Sequence, residues 1–286
     1  MPHRTTLSPI VFSHANSFGA DTYRVLFDNL KKRGINAHAI NKLGHDPRYP
    51  VTNNWPHLVQ QLVDFTQSKV NETGGPLVMV GHSLGGFLSL MVASQAPQLV
   101  RGVVLLDAPI VGGWRATALD LAKRTRLVGS VSPGAVSRKR RQHWPSLEAA
   151  LAHFKSKKAF AKWHPQVLAD YVAFGTREEM VNGQTQRVLS FEREVETTIY
   201  NTLPSNLAAM LKKHPPKCPA TFIGGLRSAE MRQVGMTLTQ QVTQGRIMML
   251  DGTHLFPMEK PLVTAAAIET ALLNMASIPG ASAVKT

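Results

Sequence analysis

The sequence lacks the features that mark several large classes of protein. Its 286 residues include one cysteine, Cys218, so no disulfide can form within the chain. This scarcity is typical of proteins in a reducing compartment, and we expect a cytoplasmic location. The longest apolar runs, such as residues 102–107, are far too short to cross a bilayer, which predicts that the chain has no membrane span.

Sequence patterns for metals and cofactors are also missing. The histidines at 38 and 45 and the aspartate at 46 do not have the spacing of a known metal site, and there is no cysteine pair. No Gly-x-Gly-x-x-Gly motif follows a predicted strand, which argues against a dinucleotide cofactor. We therefore expect neither a metal ion nor a cofactor.

Acidic residues are scarce relative to basic ones. The chain has 32 Lys and Arg against 18 Asp and Glu, a net charge of +14. Residues 112–165 contain twelve of the basic residues and two acids, and so carry +10 of that charge. The segment matches no helix-turn-helix, zinc-finger or RNA-binding pattern, so a specific nucleic-acid partner is not predicted. The charge forms either a solvated positive face or an anion-attracting surface beside an active site.

Short apolar runs alternate with segments of helical periodicity along most of the chain. The length allows a full hydrophobic core, and a hydrophobic content of 43% is ordinary for a globular domain. Strands are predicted at 7–13, 35–41, 76–80, 103–106, 220–223 and 246–250, and helices at 21–33, 55–70, 86–95 and 265–275. Apolar strands alternating with helices predict an α/β fold, with a mostly parallel central sheet covered by helices on both faces.

Residues 111–215 interrupt this alternation. They are rich in Trp, Tyr, Lys and Arg, with helical patterns at 147–154 and 166–171. We interpret them as a basic, mostly helical cap. The cap is inserted into a core domain formed by residues 1–110 and 216–286.

The motif Gly81-His82-Ser83-Leu84-Gly85 lies between a predicted apolar strand and a predicted helix. A sharp strand-to-helix turn strains the central residue, and glycines on both sides relieve the crowding that side chains would cause. The hydroxyl of Ser83 would then stand clear of the sheet at the positive end of the following helix. The motif predicts that Ser83 is a nucleophile.

With this motif in place, the chain resembles the α/β-hydrolase superfamily over nearly all of its length apart from the cap. His14-Ala-Asn16 follows the first strand, Gly44-His45-Asp46 follows the next, and Gly252-Thr-His254 follows the last strand. Ala15 departs from the glycine that the family usually has there. The resemblance implies the α/β-hydrolase fold. Because the nucleophile is Ser83, relatives with an aspartate nucleophile, such as dehalogenases and epoxide hydrolases, are excluded as functional guides.

The resemblance also implies a base and an acid that activate the serine. His254, in the loop after the last strand, is the implied base. Members of the family place the acid in one of two positions. Glu230, after the strand at 220–223, is the first choice, although Ala229 stands where an acid is expected. Asp107, after the strand at 103–106, is the alternative.

An oxyanion on the substrate needs two hydrogen-bond donors that are already in place. By the family pattern the first is the backbone amide of Leu84. The second is expected from Asn16, with Ala15 as the alternative. The expected substrate pocket comprises His14, Ser17, Trp114, Trp163 and Leu255.

These residues predict a serine hydrolase that cleaves a small-molecule carboxylic ester, thioester or lactone through an acyl-enzyme on Ser83. Two alternatives stay open. One is hydrolysis of a carbon–carbon bond in an anionic diketone-type substrate, which would suit the basic cap. The other is a non-catalytic binding protein on the same fold, because fold does not determine function. The oligomeric state is not predicted.

Overall fold

A parallel six-stranded sheet forms the centre of the molecule in the computed structural model, which describes residues 9–112 and 137–278. The strands among these residues are β1 (Ile10–Ser13), β2 (Ala37–Ala39), β3 (Leu77–His82), β4 (Val100–Leu106), β5 (His143–Trp144), β6 (Thr176–Val181), β7 (Gln184–Leu189), β8 (Ala220–Gly225) and β9 (Ile247–Leu250). The central sheet has the order β2-β1-β3-β4-β8-β9, and each of its neighbouring pairs is parallel. The predicted fold class is confirmed.

Helices follow most of these strands. In the part of the chain that the structure describes, they are α1 (Arg24–Lys32), α2 (Pro56–Thr73), α3 (Leu84–Gln95), α4 (Leu147–Lys155), α5 (Pro165–Gly175), α6 (Arg193–Asn201), α7 (Leu207–Lys213), α8 (Ala229–Val234), α9 (Thr237–Thr243), α10 (Phe256–Glu259) and α11 (Pro261–Ala276). Short 3-10 helices lie at Ala20–Tyr23 and Pro97–Leu99. In the described ranges, every helix is too short or too polar to traverse a bilayer.

The two faces of the sheet bury separate hydrophobic clusters. Successive side chains of a strand point to opposite faces. Ile10 and Phe12 therefore pack in one cluster with residues of α1 and α11, such as Leu26. Val11 packs in the other cluster with residues of α2 and α3, such as Leu58. Covering both faces with helices explains why these strands are apolar throughout.

The insertion between β4 and β8 has a strand component that the sequence analysis did not predict. Its described part contains α4 to α7 and a three-stranded antiparallel sheet of order β5-β7-β6. Asn182 and Gly183 form the turn between β6 and β7, with φ of 52° and 76°. Asn-Gly is a strong hairpin signal because both residues tolerate positive φ. The exposed charged residues of these strands obscured that signal.

The insertion packs against the core domain through both clusters. Trp144, Phe154 and Tyr171 belong to the cluster that contains Phe12, and Ile199 belongs to the cluster that contains Val11. The described part of the insertion is therefore held by the same apolar contacts that stabilise the sheet. The domain boundaries at 110–111 and 215–216 stay a prediction.

Candidate active site

The turn between β3 and α3 places Ser83 in a strained conformation. Its φ is 53° and its ψ is −115°, a region that costs a non-glycine residue about 1–3 kcal/mol. Backbone hydrogen bonds hold this conformation: the amide of Ser83 donates to Leu106 O at 3.0 Å, and Gly86 donates to Ser83 O at 2.9 Å. The strain fits the predicted function of the motif, because it directs the hydroxyl away from the sheet.

Close backbone packing explains the two glycines of the motif. A Cβ atom on Gly81 would lie 2.1 Å from the carbonyl oxygen of Gly85. A Cβ atom on Gly85 would lie 1.9 Å from the carbonyl oxygen of Ser13 in β1. No side chain fits at such distances, so α3 can begin this close to the sheet only with glycine at both positions.

Three side chains from different parts of the chain form a hydrogen-bonded line. His254 lies in the loop after β9, and its Nε2 is 3.0 Å from Ser83 Oγ. Its Nδ1 is 2.6 Å from Asp107 Oδ2. The imidazole thus lies between a hydroxyl and a carboxylate, the arrangement in which a histidine can take a proton from a serine.

The acid in contact with His254 is the alternative of the sequence analysis and not its first choice. Asp107 is fully buried at the end of β4, and its Oδ1 accepts a hydrogen bond from Gly225 N at 3.0 Å. Glu230 Oε2 lies 3.8 Å from His254 Nδ1, on a side chain that is 45% exposed. Glu230 occupies the first turn of α8, which keeps its carboxylate at the rim, so the structure does not support its assignment as the partner of His254.

Ser228 supports Asp107 and was missed in the sequence. Its hydroxyl donates to Asp107 Oδ2 at 2.6 Å and accepts from Met231 N at 3.2 Å. Ser228 is therefore both the N-cap of α8 and a partner of the buried carboxylate. A serine directly before a short helical pattern is an N-cap signal. The signal was present, but its contact with Asp107 depends on β8 lying beside β4.

The environment of the pair favours an ionised acid and a basic histidine. Burial acts to lower the pKa of His254, but the hydrogen bond to Asp107 and the charges of Glu230 and Asp107 outweigh it, and the pKa is raised above 6.5. Burial acts to raise the pKa of Asp107. The hydrogen bond and charge of His254, with the hydrogen bonds from Ser228 and Gly225, outweigh that effect, so this pKa is lowered.

A buried chain of hydrogen bonds joins the loop after β1 to the loop that carries His254. Ala15 N donates to Tyr23 Oη at 3.0 Å, Tyr23 Oη lies 2.7 Å from His82 Nδ1, and His82 Nε2 lies 2.9 Å from His254 O. A carbonyl only accepts, so His82 Nε2 carries the hydrogen and Nδ1 accepts from the tyrosine. Burial and the neighbouring His254 lower the pKa of His82 to about 3, which keeps its ring neutral.

This chain of bonds distinguishes between the two candidate donors of the loop after β1. The Ala15 amide is occupied by Tyr23. No described residue accepts a hydrogen bond from the amides of Asn16 and Leu84. The Asn16 side chain is fixed, because its Nδ2 donates to Glu196 O at 3.1 Å. The geometry therefore favours Asn16 over Ala15 as the partner of Leu84.

A cavity of about 660 Å³ opens beside Ser83 and His254. Of the predicted pocket residues, Leu255 lines it. Trp114 lies outside the described residues. His14, Ser17 and Trp163 are buried and do not line the cavity, so these three predictions are not supported.

Hydrogen bonds hold His14 elsewhere, packing holds Trp163 elsewhere, and Ser17 lines a separate crevice. His14 donates through Nδ1 to Ala15 O and accepts from Leu43 N at Nε2, each at 2.8 Å, and burial lowers its pKa to about 4. Ser17 lies at a crevice beside Gly19. The ring of Trp163 packs in an aromatic cluster with Phe18, Phe160 and Tyr171.

Several charged residues of the cavity wall were not predicted from the sequence. Lys158, Lys162 and Arg227 line it. The excess of basic residues in 112–165 was the available signal for the two lysines. It did not show which of the twelve basic residues face the site, because that depends on how the insertion packs.

Within the described residues, one group of side chains has the types and spacing that could hold a metal ion. The ligand atoms of Asp107, Glu230 and His254 all lie within 4.8 Å of one another. A metal at His254 Nδ1 would have to replace the proton shared with Asp107. Two of these three groups, Asp107 and His254, are already engaged in the hydrogen-bonded line with Ser83.

The alpha/beta hydrolase family model matches residues 10–267, which is most of the chain. The match includes all of the helices and strands given above except the last part of α11. The chain belongs to the alpha/beta hydrolase family. This assignment confirms the resemblance inferred from the motifs and establishes the hydrolase scaffold around Ser83.

Solved structures share the fold of this alpha/beta hydrolase at low sequence identity. The peroxisomal alpha-beta-hydrolase Lpx1 of Saccharomyces cerevisiae is 15% identical, with a TM-score of 0.70, covering 99% of this chain and 82% of that one. E-2-(acetamidomethylene)succinate hydrolase is 20% identical, with a TM-score of 0.67 and coverage of 93% and 92%. These similarities show the fold.

Curated relatives match a shorter part of this alpha/beta hydrolase. The monoglyceride lipase homologue of Monkeypox virus is 24% identical over 130 residues, which are 44% of this chain and 46% of the viral protein. The chain thus spans less than half the length of the curated relatives it matches.

Proposed function

We propose that the chain is a serine hydrolase that cleaves a carboxylic ester, thioester or lactone through an acyl-enzyme on Ser83. The observation that carries this proposal is the hydrogen-bonded line from Ser83 through His254 to Asp107 at the wall of a cavity. Membership of the hydrolase family and the similarity to a lipase-named protein support it.

In the first half of the reaction, Ser83 Oγ attacks the carbonyl carbon and its proton passes to His254 Nε2. The carbonyl oxygen becomes an oxyanion, which the amides of Leu84 and Asn16 stabilise. The bond to the leaving oxygen or sulfur then breaks, and the leaving group takes the proton from Nε2. The acyl group stays on Ser83.

In the second half, water replaces the leaving group. It attacks the acyl carbon and gives its proton to His254 Nε2, and the serine recovers that proton when the acid is released. Asp107 holds the imidazole in the tautomer with hydrogen on Nδ1 and stabilises the imidazolium that forms in each half. The lowered pKa of Asp107 keeps it ionised for this role.

Hydrolysis of a 4-nitrophenyl ester series from C2 to C12 tests the proposal and measures the depth of the acyl pocket. We expect release of 4-nitrophenol and stoichiometric labelling of Ser83 by a fluorophosphonate. A wild-type protein that neither hydrolyses these esters nor is labelled would instead favour the non-catalytic binding protein.

Hydrolysis of a carbon–carbon bond stays the second candidate, because cationic side chains line the cavity. The same serine, histidine and acid can cleave a vinylogous diketone. Faster turnover of an anionic vinylogous diketone than of any ester in the series would favour that reaction.

The rate should depend on pH through His254. Because the base must be neutral and its pKa is raised above 6.5, we expect kcat/KM to rise with pH, with a midpoint above that value. The Glu230→Gln variant removes a charge that raises this pKa, so its midpoint should lie at lower pH. Glu72→Gln, at an exposed site on α2, serves as the control. Coincident profiles for all three proteins would contradict the proposed effect of Glu230.

The buried chain through Tyr23 should support both stability and activity. Tyr23→Phe leaves Ala15 N and His82 Nδ1 without their partner, and each buried orphan group costs about 1–3 kcal/mol. We expect a fall of about 2–6 kcal/mol in the free energy of unfolding, measured by urea denaturation, and a lower kcat. Tyr49→Phe removes an exposed hydroxyl bonded to Asp64 and should leave the free energy of unfolding nearly unchanged, because exposed substitutions have small effects. Equal stability of the two variants would argue against the network.

A further inference from the structure

The connection between α4 and α5 brings positive charge to the cavity wall. Lys158 and Lys162 line the cavity, in a connection that contains no acidic residue. Within the described ranges, neither lysine has an ion-pair partner, in contrast to Lys69 and Lys260. Both side chains are exposed, so their charges remain available to a molecule that enters the cavity.

The other charged groups of the wall are already engaged. Arg227 pairs with Asp251. Glu259 accepts hydrogen bonds from Thr253 N at 3.1 Å and from Thr253 Oγ1 at 2.5 Å. Glu230 lies beside His254. Among the cationic side chains of this wall, Lys158 and Lys162 are therefore the two without a carboxylate partner in the described part of the chain.

The packing of the connection fixes its position against the site. The rings of Phe160 and Trp163 are 4.6 Å apart and pack into the aromatic cluster. His164 N donates to Met258 O at 2.9 Å, which ties the connection to α10 directly after the His254 loop. With these aromatic residues directed inward, the lysines are held beside the cavity.

We propose that Lys158 and Lys162 form a subsite for an anionic group, a carboxylate or a phosphate, that the acyl substrate carries away from the bond that is cleaved. This inference rests on the proposed ester or thioester hydrolysis. Two ammonium groups at the rim of a concave site attract an anion and orient the substrate. The scissile carbonyl then lies toward Ser83 and the charged end toward α4 and α5.

Two pairs of substrates test the subsite and identify the side of the substrate that carries the charge. For the acyl side, 4-nitrophenyl hydrogen adipate is compared with its neutral methyl ester. For the leaving-group side, hexanoyl-coenzyme A is compared with S-hexanoyl-N-acetylcysteamine. The measured quantity is the ratio of kcat/KM between the anionic and the neutral member of each pair, from which changes in overall activity cancel.

In the variant with Lys158→Ala and Lys162→Ala, we expect this ratio to fall about tenfold for at least one pair, as expected for two partly exposed ion pairs. High salt should reduce the wild-type ratio in the same direction. The control replaces Lys155 and Lys157 with Ala: it removes the same charge from neighbouring positions that do not line the cavity. For this control, the ratio of kcat/KM between the anionic and neutral substrates should differ from that of the wild type by less than about twofold, because distant exposed charges interact weakly.

If the two double variants had equal kcat/KM ratios, the proposed subsite would be wrong. The effect would then depend on the net charge of the protein and not on the positions of Lys158 and Lys162. Binding separates this outcome from failure of the proposed function. Calorimetry with monomethyl adipate and with coenzyme A, on the Ser83→Ala background, should show weaker binding of at least one anion after loss of Lys158 and Lys162. Unchanged binding of both would also overturn the proposal, whether or not the wild type hydrolyses esters.

Discussion

Ser83→Ala is expected to lower kcat for 4-nitrophenyl ester hydrolysis by a factor on the order of 10⁵ to 10⁶, as removal of a serine nucleophile does when the base and acid stay in place. The reason is local: Ser83 Oγ is the atom 3.0 Å from His254 Nε2. The backbone conformation should survive, because it is held by bonds from Ser83 N and Gly86 N rather than by the hydroxyl. Labelling by a fluorophosphonate should be lost in parallel.

Ser89→Ala is the matched control for this variant. Ser89 lies on α3, is fully buried, and its hydroxyl has no partner among the described residues. Its replacement should leave kcat and labelling unchanged. If Ser83→Ala kept more than about a hundredth of the wild-type kcat, a loss too small for a triad nucleophile, Ser83 would not be the nucleophile and the proposed mechanism would fail.

Asp107→Asn is expected to lower kcat by about 10³- to 10⁴-fold, because an amide in this position stabilises neither the tautomer nor the imidazolium. The carboxylate of Asp107 is buried and 2.6 Å from His254 Nδ1. The asparagine keeps the size of the side chain and can still accept from Gly225 N. The loss should therefore appear in kcat at neutral pH, measured on the same ester series, with the fold retained by circular dichroism.

Glu230→Gln is the matched carboxylate-to-amide control. Since Glu230 Oε2 is 3.8 Å from the same nitrogen and the side chain is partly exposed, kcat should fall by no more than about threefold, the effect of a weak exposed charge interaction. The double variant tests whether Glu230 substitutes for Asp107. A larger loss in Glu230→Gln than in Asp107→Asn would reverse the assignment of the acid.

Ser228 links the loop after β8 to the buried carboxylate of Asp107. The loop after β8 carries Ser228 and Ala229 before Glu230, and Ser228 donates to Asp107. The loop therefore supplies a hydrogen-bond donor to an acid on the neighbouring strand.

Residue patterns were sufficient to predict the scaffold of the site. Apolar strands that alternate with helices require a parallel sheet covered on both faces. The glycines around Ser83 predicted close backbone packing at this turn. The structure shows it, because a Cβ atom on Gly85 would collide with Ser13 in β1. These patterns can be seen in the sequence because hydrophobic periodicity and the requirement for glycine both involve residues that are close together in the chain. The Asn-Gly turn of β6 and β7 was equally local and was overlooked.

The sequence by itself determined the fold class, the candidate nucleophile and the loop that carries His254. Only the tertiary structure shows which acid contacts His254: Asp107 and Gly225 are 118 residues apart in the chain and meet because β4 pairs with β8, with Leu106 opposite Ile223. It also decided which two of the twelve basic residues in 112–165 face the cavity in its described part. Periodicity predicts which elements form, but distances between elements far apart in sequence follow from strand order and packing.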